Sequence, residues 1–295
     1  MTMSPQTVLI TGASVGLGLA LTKQLLPRHE YRLILTARRS SLQRFAKEGI
    51  EENERIWLRP LDVTCAAERK AIVQEAEEHW GGVDILVNNA GIAYRAVVEH
   101  VTEEDRLRQM DINFRSPMEL TRLILPGMRA KRRGRVINVS SAAGMMAMPT
   151  MAVYSASKFA LEGATEALYY ETKPWGIKVT LLQPGFINSS SFQNTRFTDS
   201  SCKSLEDGTD AYSSYYRFMG PFIERVMRWT WATPEKVAAK IVRVMRQNSP
   251  PLRVQATPDV LIFSMLRRFL PQRLYHAILY HNLPHIRDWV PRIKK

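Results

Sequence analysis

The residues with the clearest chemical potential are a tyrosine, a lysine and a serine in the middle of the chain. Tyr154 and Lys158 stand four residues apart, and Ser141 lies 13 residues before Tyr154. Positions i and i+4 share one face of a helix, so the phenol and the ammonium are expected to point into the same space. A cation there favours the phenolate and lowers the tyrosine pKa from about 10. With a serine hydroxyl to hold a carbonyl oxygen, this set could reduce a ketone or oxidise an alcohol beside a hydride carrier.

This spacing is weak evidence alone, because Tyr and Lys are also neighbours on ordinary surface helices.

The chain of 295 residues, 45% of them apolar, fits one large folded domain. Two cysteines, Cys65 and Cys202, indicate a reducing compartment without a disulfide framework or zinc site. We expect neither a signal peptide nor a transmembrane helix. The prediction is a cytoplasmic protein, with peripheral contact at a membrane surface left open.

The formal charge of +13 could indicate nucleic acid, a membrane surface or an anionic ligand. The densest basic cluster runs from Arg129 to Arg135 and favours a solvated loop between a helix and a strand. It contains no aromatic residues that could stack on bases, so nucleic-acid binding is not expected. The six histidines lie away from Tyr154, and the group His276, His281 and His285 has no acid or cysteine to complement it. No metal site is predicted.

Short apolar runs alternate with longer helical patterns along the chain. The alternation predicts an α/β fold of the Rossmann type, a doubly wound parallel sheet of about seven strands. The expected strands are Thr7–Thr11, Arg32–Ala37, Arg55–Leu61, Ile85–Asn88, Arg135–Ser140, Lys178–Leu182 and Leu252–Gln255. The expected helices are 17–27, 41–48, 66–80, 103–130, 152–173 and 234–247.

A glycine-rich segment follows the first strand and opens the first helix. Glycines let the backbone turn sharply and approach a pyrophosphate, while the helix N-terminus offers amide donors. The residues expected to bind a dinucleotide there are Gly12, Ser14, Gly16, Leu17 and Gly18. Arg38 follows the second strand, where an arginine can bind a ribose 2′-phosphate and an acid would bind a free 2′-hydroxyl. NADP(H) is therefore favoured over NAD(H), although the glycine loop itself adds no basic residue.

These motifs, in this order, resemble the short-chain dehydrogenase/reductase family in its TGxxxGxG and YxxxK form. The resemblance covers about residues 6–190, with a helix and strand continuing to 256, and the sequence from Tyr154 to Leu168 is similar to hydroxysteroid and retinol dehydrogenases. It implies that Asn113 bends its helix and holds a water in a proton relay. It further implies cofactor contacts from Asp62, Val63, Asn89, Ala90, Gly91, Tyr154, Lys158, Pro184, Gly185, Ile187 and Ser189.

By this resemblance, the activity is hydride transfer between a nicotinamide and a carbonyl or carbinol carbon. Tyr154 is expected to act as acid or base, Lys158 to lower its pKa and hold the nicotinamide ribose, and Ser141 to hold the substrate oxygen. Ser140 stays open as an alternative to Ser141, since the two are adjacent. The alternative function is a non-catalytic regulator that senses NAD(P) on the same fold.

Methionines and aromatic residues are concentrated where the substrate is expected to lie. They adapt to broad apolar shapes, so a steroid, retinoid, fatty or aromatic ketone or alcohol is predicted. The candidate substrate residues are Met145, Met148, Met151, Phe186 and Phe192. The segment 186–232, taken as irregular, is the expected substrate loop.

Residues 1–256 are expected to form one catalytic domain, and residues 257–295 a basic amphipathic helical extension. The extension could lie on an anionic membrane, pack on the domain or pack on a second subunit. By the family resemblance, the helices within 103–130 and 152–173 form the subunit contacts of a homodimer or homotetramer.

Overall fold

One sheet of seven parallel strands organises the computed structural model, which describes residues 4–188 and 195–290. Its strand order is β3-β2-β1-β4-β5-β6-β7, so the doubly wound fold is confirmed. The strands are β1 Gln6–Ile10, β2 Tyr31–Ala37, β3 Ile56–Pro60, β4 Ile85–Asn88, β5 Gly134–Val139, β6 Ile177–Gln183 and β7 Arg253–Gln255. The order reverses between β1 and β4, and their carboxyl ends therefore open a crevice.

Helices cover both faces of this sheet. The helices are α1 Gly16–Leu25, α2 Gln43–Lys47, α3 Ala66–Trp80, α4 Glu103–Met110, α5 Ser116–Ala130, α6 Ala152–Thr172, α7 Asp199–Glu206, α8 Ser213–Trp229, α9 Pro234–Arg246, α10 Pro258–Phe269 and α11 Gln272–His281. Leu21 of α1 and Ile241 of α9 are buried in the core on one face, and Ile124 of α5 and Leu168 of α6 in the core on the other. Burial on both faces explains why the strand sequences are almost continuously apolar.

The single helix expected over 103–130 is interrupted. Residues Asp111–Arg115 form a π-helical turn between α4 and α5. Asn113 lies in this turn, and its side chain bonds the backbone of Ile92 rather than facing solvent. Pro117 follows in the first turn of α5, where its missing amide is tolerated.

The segment 186–232 is less irregular than expected, because it contains α7 and α8. Tyr216, Met219 and Ile223 recur on the buried face of α8. Gly220 and Pro221 lie in the middle of that helix, and both residue types disfavour a helix interior. These two residues are the reason that the sequence of this segment does not predict a helix.

The C-terminal segment packs against α8. Trp289 is buried beside Met219 and Ile223, and its ring centroid lies 4.4 Å from that of Tyr215. The Ser214 hydroxyl donates a hydrogen bond to the Trp289 carbonyl at 2.5 Å. Residues 258–290 are therefore attached to the helix that walls the substrate region.

We expect Trp289→Ala to lower the free energy of unfolding by about 3 kcal/mol, because it empties a buried aromatic site. Its neighbour Val290 is exposed, so Val290→Ala should change stability by less than about 0.5 kcal/mol. Urea denaturation of both variants measures the difference. Equal stabilities of the two variants would show that the Trp289 side chain does not stabilise the fold.

Candidate active site

The glycine loop forms a tight cradle at the carboxyl end of β1. Gly12 and Gly16 have φ values of +65° and +53°, which side chains disfavour. A Cβ on Gly18 would overlap the Gly12 carbonyl oxygen. The Asn89 amide donates to the carbonyls of Thr11 and Gly12 at 3.0 Å each, fixing the loop against β4.

This cradle fits the pyrophosphate of a dinucleotide. Gly12, Ser14, Gly16 and Leu17 line the cleft, whereas Gly18 lies behind them as the close-packing residue. Val15 stands at the N-cap of α1 and has no polar side chain to bond the first-turn amides. Those amides and the positive end of the helix dipole suit an anion.

The adenosine end of the cleft is basic on one side and acidic on the other. Arg38 lines it at the end of β2, joined by Ser41 and Arg44, which the sequence analysis missed. Asp62 lies opposite; burial opposes its ionisation, but hydrogen bonds from Thr64 and the charge of Arg38 leave its pKa lowered. Val63 and the strand-end residues Asn89, Ala90 and Gly91 complete this wall.

Ser141 and Tyr154 meet at the inner end of the cleft. Their side chains are hydrogen-bonded, and the Ser141 oxygen also accepts a bond from the Ala143 amide at 3.1 Å. Ser140 instead donates to Glu162 at 2.8 Å. This difference separates the two serines that the sequence left open, because only the Ser141 hydroxyl pairs with the tyrosine.

Lys158 lies beneath the tyrosine on the same face of α6. Its ammonium donates to the Val139 carbonyl at 2.9 Å and lies 5.9 Å from the Tyr154 ring centroid. Burial lowers the Lys158 pKa to about 8, although the Glu162 carboxylate acts to raise it.

The expected direction of the Tyr154 pKa is wrong for this structure. Burial raises the pKa of Tyr154, against which the hydrogen bond with Ser141 acts to lower it. The sequence analysis considered only the charge of Lys158. Both groups are desolvated, and desolvation disfavours phenolate and ammonium alike.

A buried carboxylate one turn beyond Lys158 was also missed. Glu162 accepts hydrogen bonds from Ser140 at 2.8 Å and Gln183 at 2.7 Å, and its second oxygen lies 3.3 Å from Arg253. These partners come from the ends of β5 and β6 and from β7. The only sequence signal was the spacing of four residues from Lys158.

Asn113 is buried close to Tyr154 and Lys158, with Ser157 of the same helix as a partner. Its amide donates to the Ile92 carbonyl at 2.8 Å and to the Ser157 hydroxyl at 3.0 Å. A Cβ on Gly91 would lie 3.2 Å from Asn113 Oδ1 and 3.8 Å from Lys158 Nζ, so these groups converge there. Asn113 reaches this position because it lies in the π-helical turn Asp111–Arg115.

The Pro184–Ile187 segment lines the cleft next to Tyr154, and the C-terminal segment holds it in place. The Gly185 amide donates to Thr257 Oγ1 at 2.8 Å, and the Phe186 amide donates to Asp259 Oδ2 at 2.9 Å. A Cβ on Gly185 would overlap the Asp259 carboxylate. Ser189 lies outside the described residues.

The substrate side of the cleft is apolar. Met148, Met151 and Phe186 line it as expected, with Met146, Ile223 and Met227 added by the structure. Met145 does not border the cleft, because the short helical turn at 142–144 presents Met146 to it instead. Arg95 was missed; it is buried at this wall, and burial lowers its pKa to about 10. Phe192 lies outside the described residues.

The whole cleft has a volume of about 1820 Å³. In the described ranges, no three His, Cys, Asp or Glu residues converge as metal ligands. Over the same part of the chain, no helix is long and apolar enough to span a bilayer.

Comparison with known proteins shows the family of the chain. Residues 6–200 match the family model described as short chain dehydrogenase. The chain belongs to the short-chain dehydrogenase/reductase family. It is an oxidoreductase that uses a nicotinamide dinucleotide to interconvert alcohols and ketones.

Its relatives are similar over most of their length. The chain is 34% identical to a 3-ketodihydrosphingosine reductase of Bacteroides thetaiotaomicron, covering 94% of this chain and 97% of that protein. It is 32% identical to human retinol dehydrogenase 8, covering 86% and 82% respectively. A solved short-chain dehydrogenase from Streptomyces avermitilis has a TM-score of 0.77 and 28% identity, covering 95% and 97%.

We expect Glu162→Gln to shift the alkaline fall in turnover to lower pH. Glu162 raises the Lys158 pKa, so removing its charge lets burial lower that pKa further, and the ammonium is lost earlier as pH rises. Glu166→Gln is the matched control, since Glu166 binds Arg253 at 2.7 Å from a more exposed position. The pH profile of kcat/KM tests this, and coincident profiles for the three proteins would contradict it.

Proposed function

We propose that the protein is an NADP(H)-dependent reductase of long apolar ketones, and in reverse a dehydrogenase of the alcohols. The observation that carries this proposal is the Ser141–Tyr154 pair at the point where the dinucleotide cradle meets a wall of methionines. A polar pair at the end of an apolar cleft suits a substrate with one oxygen to be held and a long apolar body.

Ser141 and Tyr154 hold the substrate oxygen in this mechanism. In reduction Tyr154 gives its proton to that oxygen, and Ser141 stabilises the charge that develops there. In oxidation the same proton returns to the tyrosine. The bound nicotinamide supplies or accepts the hydride. The raised Tyr154 pKa keeps the phenol protonated, which suits the reductive direction.

Lys158 places its positive ammonium group close to Tyr154. With a pKa of about 8, its ammonium is largely retained at neutral pH and is held by the Val139 carbonyl. It offers a donor and a positive charge toward the nicotinamide ribose. Asn113 Oδ1 lies on the same side of Gly91 as Lys158 Nζ, and we assign Asn113 as a positioning residue in the proton path.

The proposed substrate class is a long-chain lipid ketone, such as a 3-ketosphingoid base. Support comes from Met148, Met151 and Phe186 on the wall, and from the relative named as a 3-ketodihydrosphingosine reductase. Retinoids and steroids share the apolar chemistry and are the next candidates, supported by the retinol dehydrogenase relative.

The preference for NADP(H) rests on Arg38 and Arg44 at the adenosine end. Guanidinium groups bind a 2′-phosphate well. A regulator that only senses the nucleotide is less well supported, because such a protein needs no Ser141–Tyr154 pair.

We also propose a homo-oligomer with α5 and α6 at the subunit contact, where Phe159 and Tyr170 of α6 are exposed.

We expect Tyr154→Phe to lower kcat by about 10²–10⁴-fold while leaving NADPH binding within about twofold, because only the acid is removed. Tyr170→Phe, on an exposed part of the same helix, is the control and should retain activity. Reduced-cofactor absorbance measures turnover, and NADPH fluorescence measures binding. A Tyr154→Phe enzyme that kept most of its kcat would refute the assigned role.

We expect Arg38→Ala to raise KM for NADPH at least about tenfold while changing KM for NADH little, because a charged hydrogen bond to phosphate is lost. Arg39→Ala is the neighbouring control, since Arg39 does not border the described cleft. Steady-state kinetics with both cofactors give the comparison. Equal effects on the two cofactors would refute the phosphate role of Arg38.

A further inference from the structure

Large apolar side chains are exposed on α10 and at the end of α8, where Trp229 borders a groove together with Asp259 of α10. Trp229 and Trp231, at and after the end of α8, are 81% and 87% exposed, and Phe269 of α10 is 75% exposed. Ile262, Met265 and Phe269 share one face of α10 through their i, i+3 and i+7 spacing. We call this surface the α8–α10 face; its apolar members are Trp229, Trp231, Leu261, Ile262, Met265 and Phe269.

Basic residues lie on the same elements as this face. Arg225 and Arg228 lie on α8, Arg268 on α10 and Arg273 on α11, whereas Arg267 of α10 packs over the Phe159 ring of α6. In the range 258–290 the acids are Asp259, which bonds the Phe186 amide, and Asp288. Tryptophans, exposed aliphatic side chains and arginines on one surface match the interfacial region of an anionic bilayer.

A groove leads from this face toward the catalytic cleft. Its volume is about 350 Å³, and its walls are Phe186, Arg225, Val226, Trp229, Thr230 and Asp259. Phe186 borders the groove and the cleft together. On α8, Val226 and Trp229 border the groove while Ile223 and Met227 border the cleft. One aromatic ring and one helix therefore separate the exposed face from the substrate wall.

We propose that the α8–α10 face docks on an anionic phospholipid bilayer and that the long-chain substrate enters the cleft from the bilayer through this groove. The entry step rests on the proposed lipid-ketone function, whereas the docking step does not. A two-fold contact with a second copy fits the face less well, because such contacts pair identical patches and would bring its arginines together.

Vesicle flotation tests the docking step with the full-length protein. We expect binding to vesicles of phosphatidylcholine with phosphatidylserine, and much weaker binding to phosphatidylcholine alone or at high salt. Ile262→Ser/Phe269→Ser should lower partitioning at least about tenfold by removing inserted apolar area, and Arg268→Glu should lower it severalfold. Val98→Ser removes exposed apolar area on another element and should bind like the native chain.

The entry step is tested by Val226→Trp, which fills the groove. It should slow reduction of a vesicle-borne 3-ketosphingoid base at least about fivefold. The rate of reduction of a soluble short-chain ketone should stay unchanged. Equal rates for both proteins on the vesicle-borne substrate would overturn entry through the groove.

Three further outcomes are decisive. Absent binding of the native chain to anionic vesicles overturns docking, as does a face variant whose only effect is a smaller assembly in light scattering. Failure to reduce any ketone, short or long, would instead refute the proposed function, and flotation would still report on docking.

Discussion

Strands β1 and β4 are neighbours in the sheet although distant in sequence, and their connections leave in opposite directions. This pairing brings the glycine loop after β1 against Asn89 and Ala90 after β4, with the Thr11 hydroxyl accepting bonds from both of their amides at 3.0 Å. The cradle exists because these two strand ends are in register. Helix α6, which carries Tyr154 and Lys158, borders the same crevice.

Desolvation, rather than the charge of Lys158, sets the direction of the Tyr154 pKa. Burial raises the Tyr154 pKa above its ordinary 10 and lowers that of Lys158 to about 8, so the phenol holds its proton more tightly than the ammonium, the reverse of their ordinary order. Glu162 offsets part of the cost for the lysine, and its own charge is stabilised by Ser140, Gln183 and Arg253. The acid–base balance of the site thus depends partly on residues at the ends of β5, β6 and β7.

The sequence was informative wherever one local rule decided the outcome. Covered parallel strands have continuous apolar runs, and the spacing of Tyr154 and Lys158 follows from one helical turn. The sequence was uninformative where the outcome depends on contacts between segments that are distant along the chain. The pKa direction of Tyr154 depends on burial, the Glu162 network assembles from three strands, and Gly220–Pro221 conceal α8. The choice between Met145 and Met146 depends on a single short turn.

The contact between Gly185 and Asp259 limits how this enzyme can diversify. No side chain fits at position 185 while the Asp259 carboxylate bonds the Phe186 amide, so the two positions must change together during evolution. The wall residues of α8 carry no such tie to the backbone beside Tyr154. New substrate ranges are therefore more accessible through substitutions in α8 than through the strand-end segment, because that segment is constrained by its contact with Asp259 of α10.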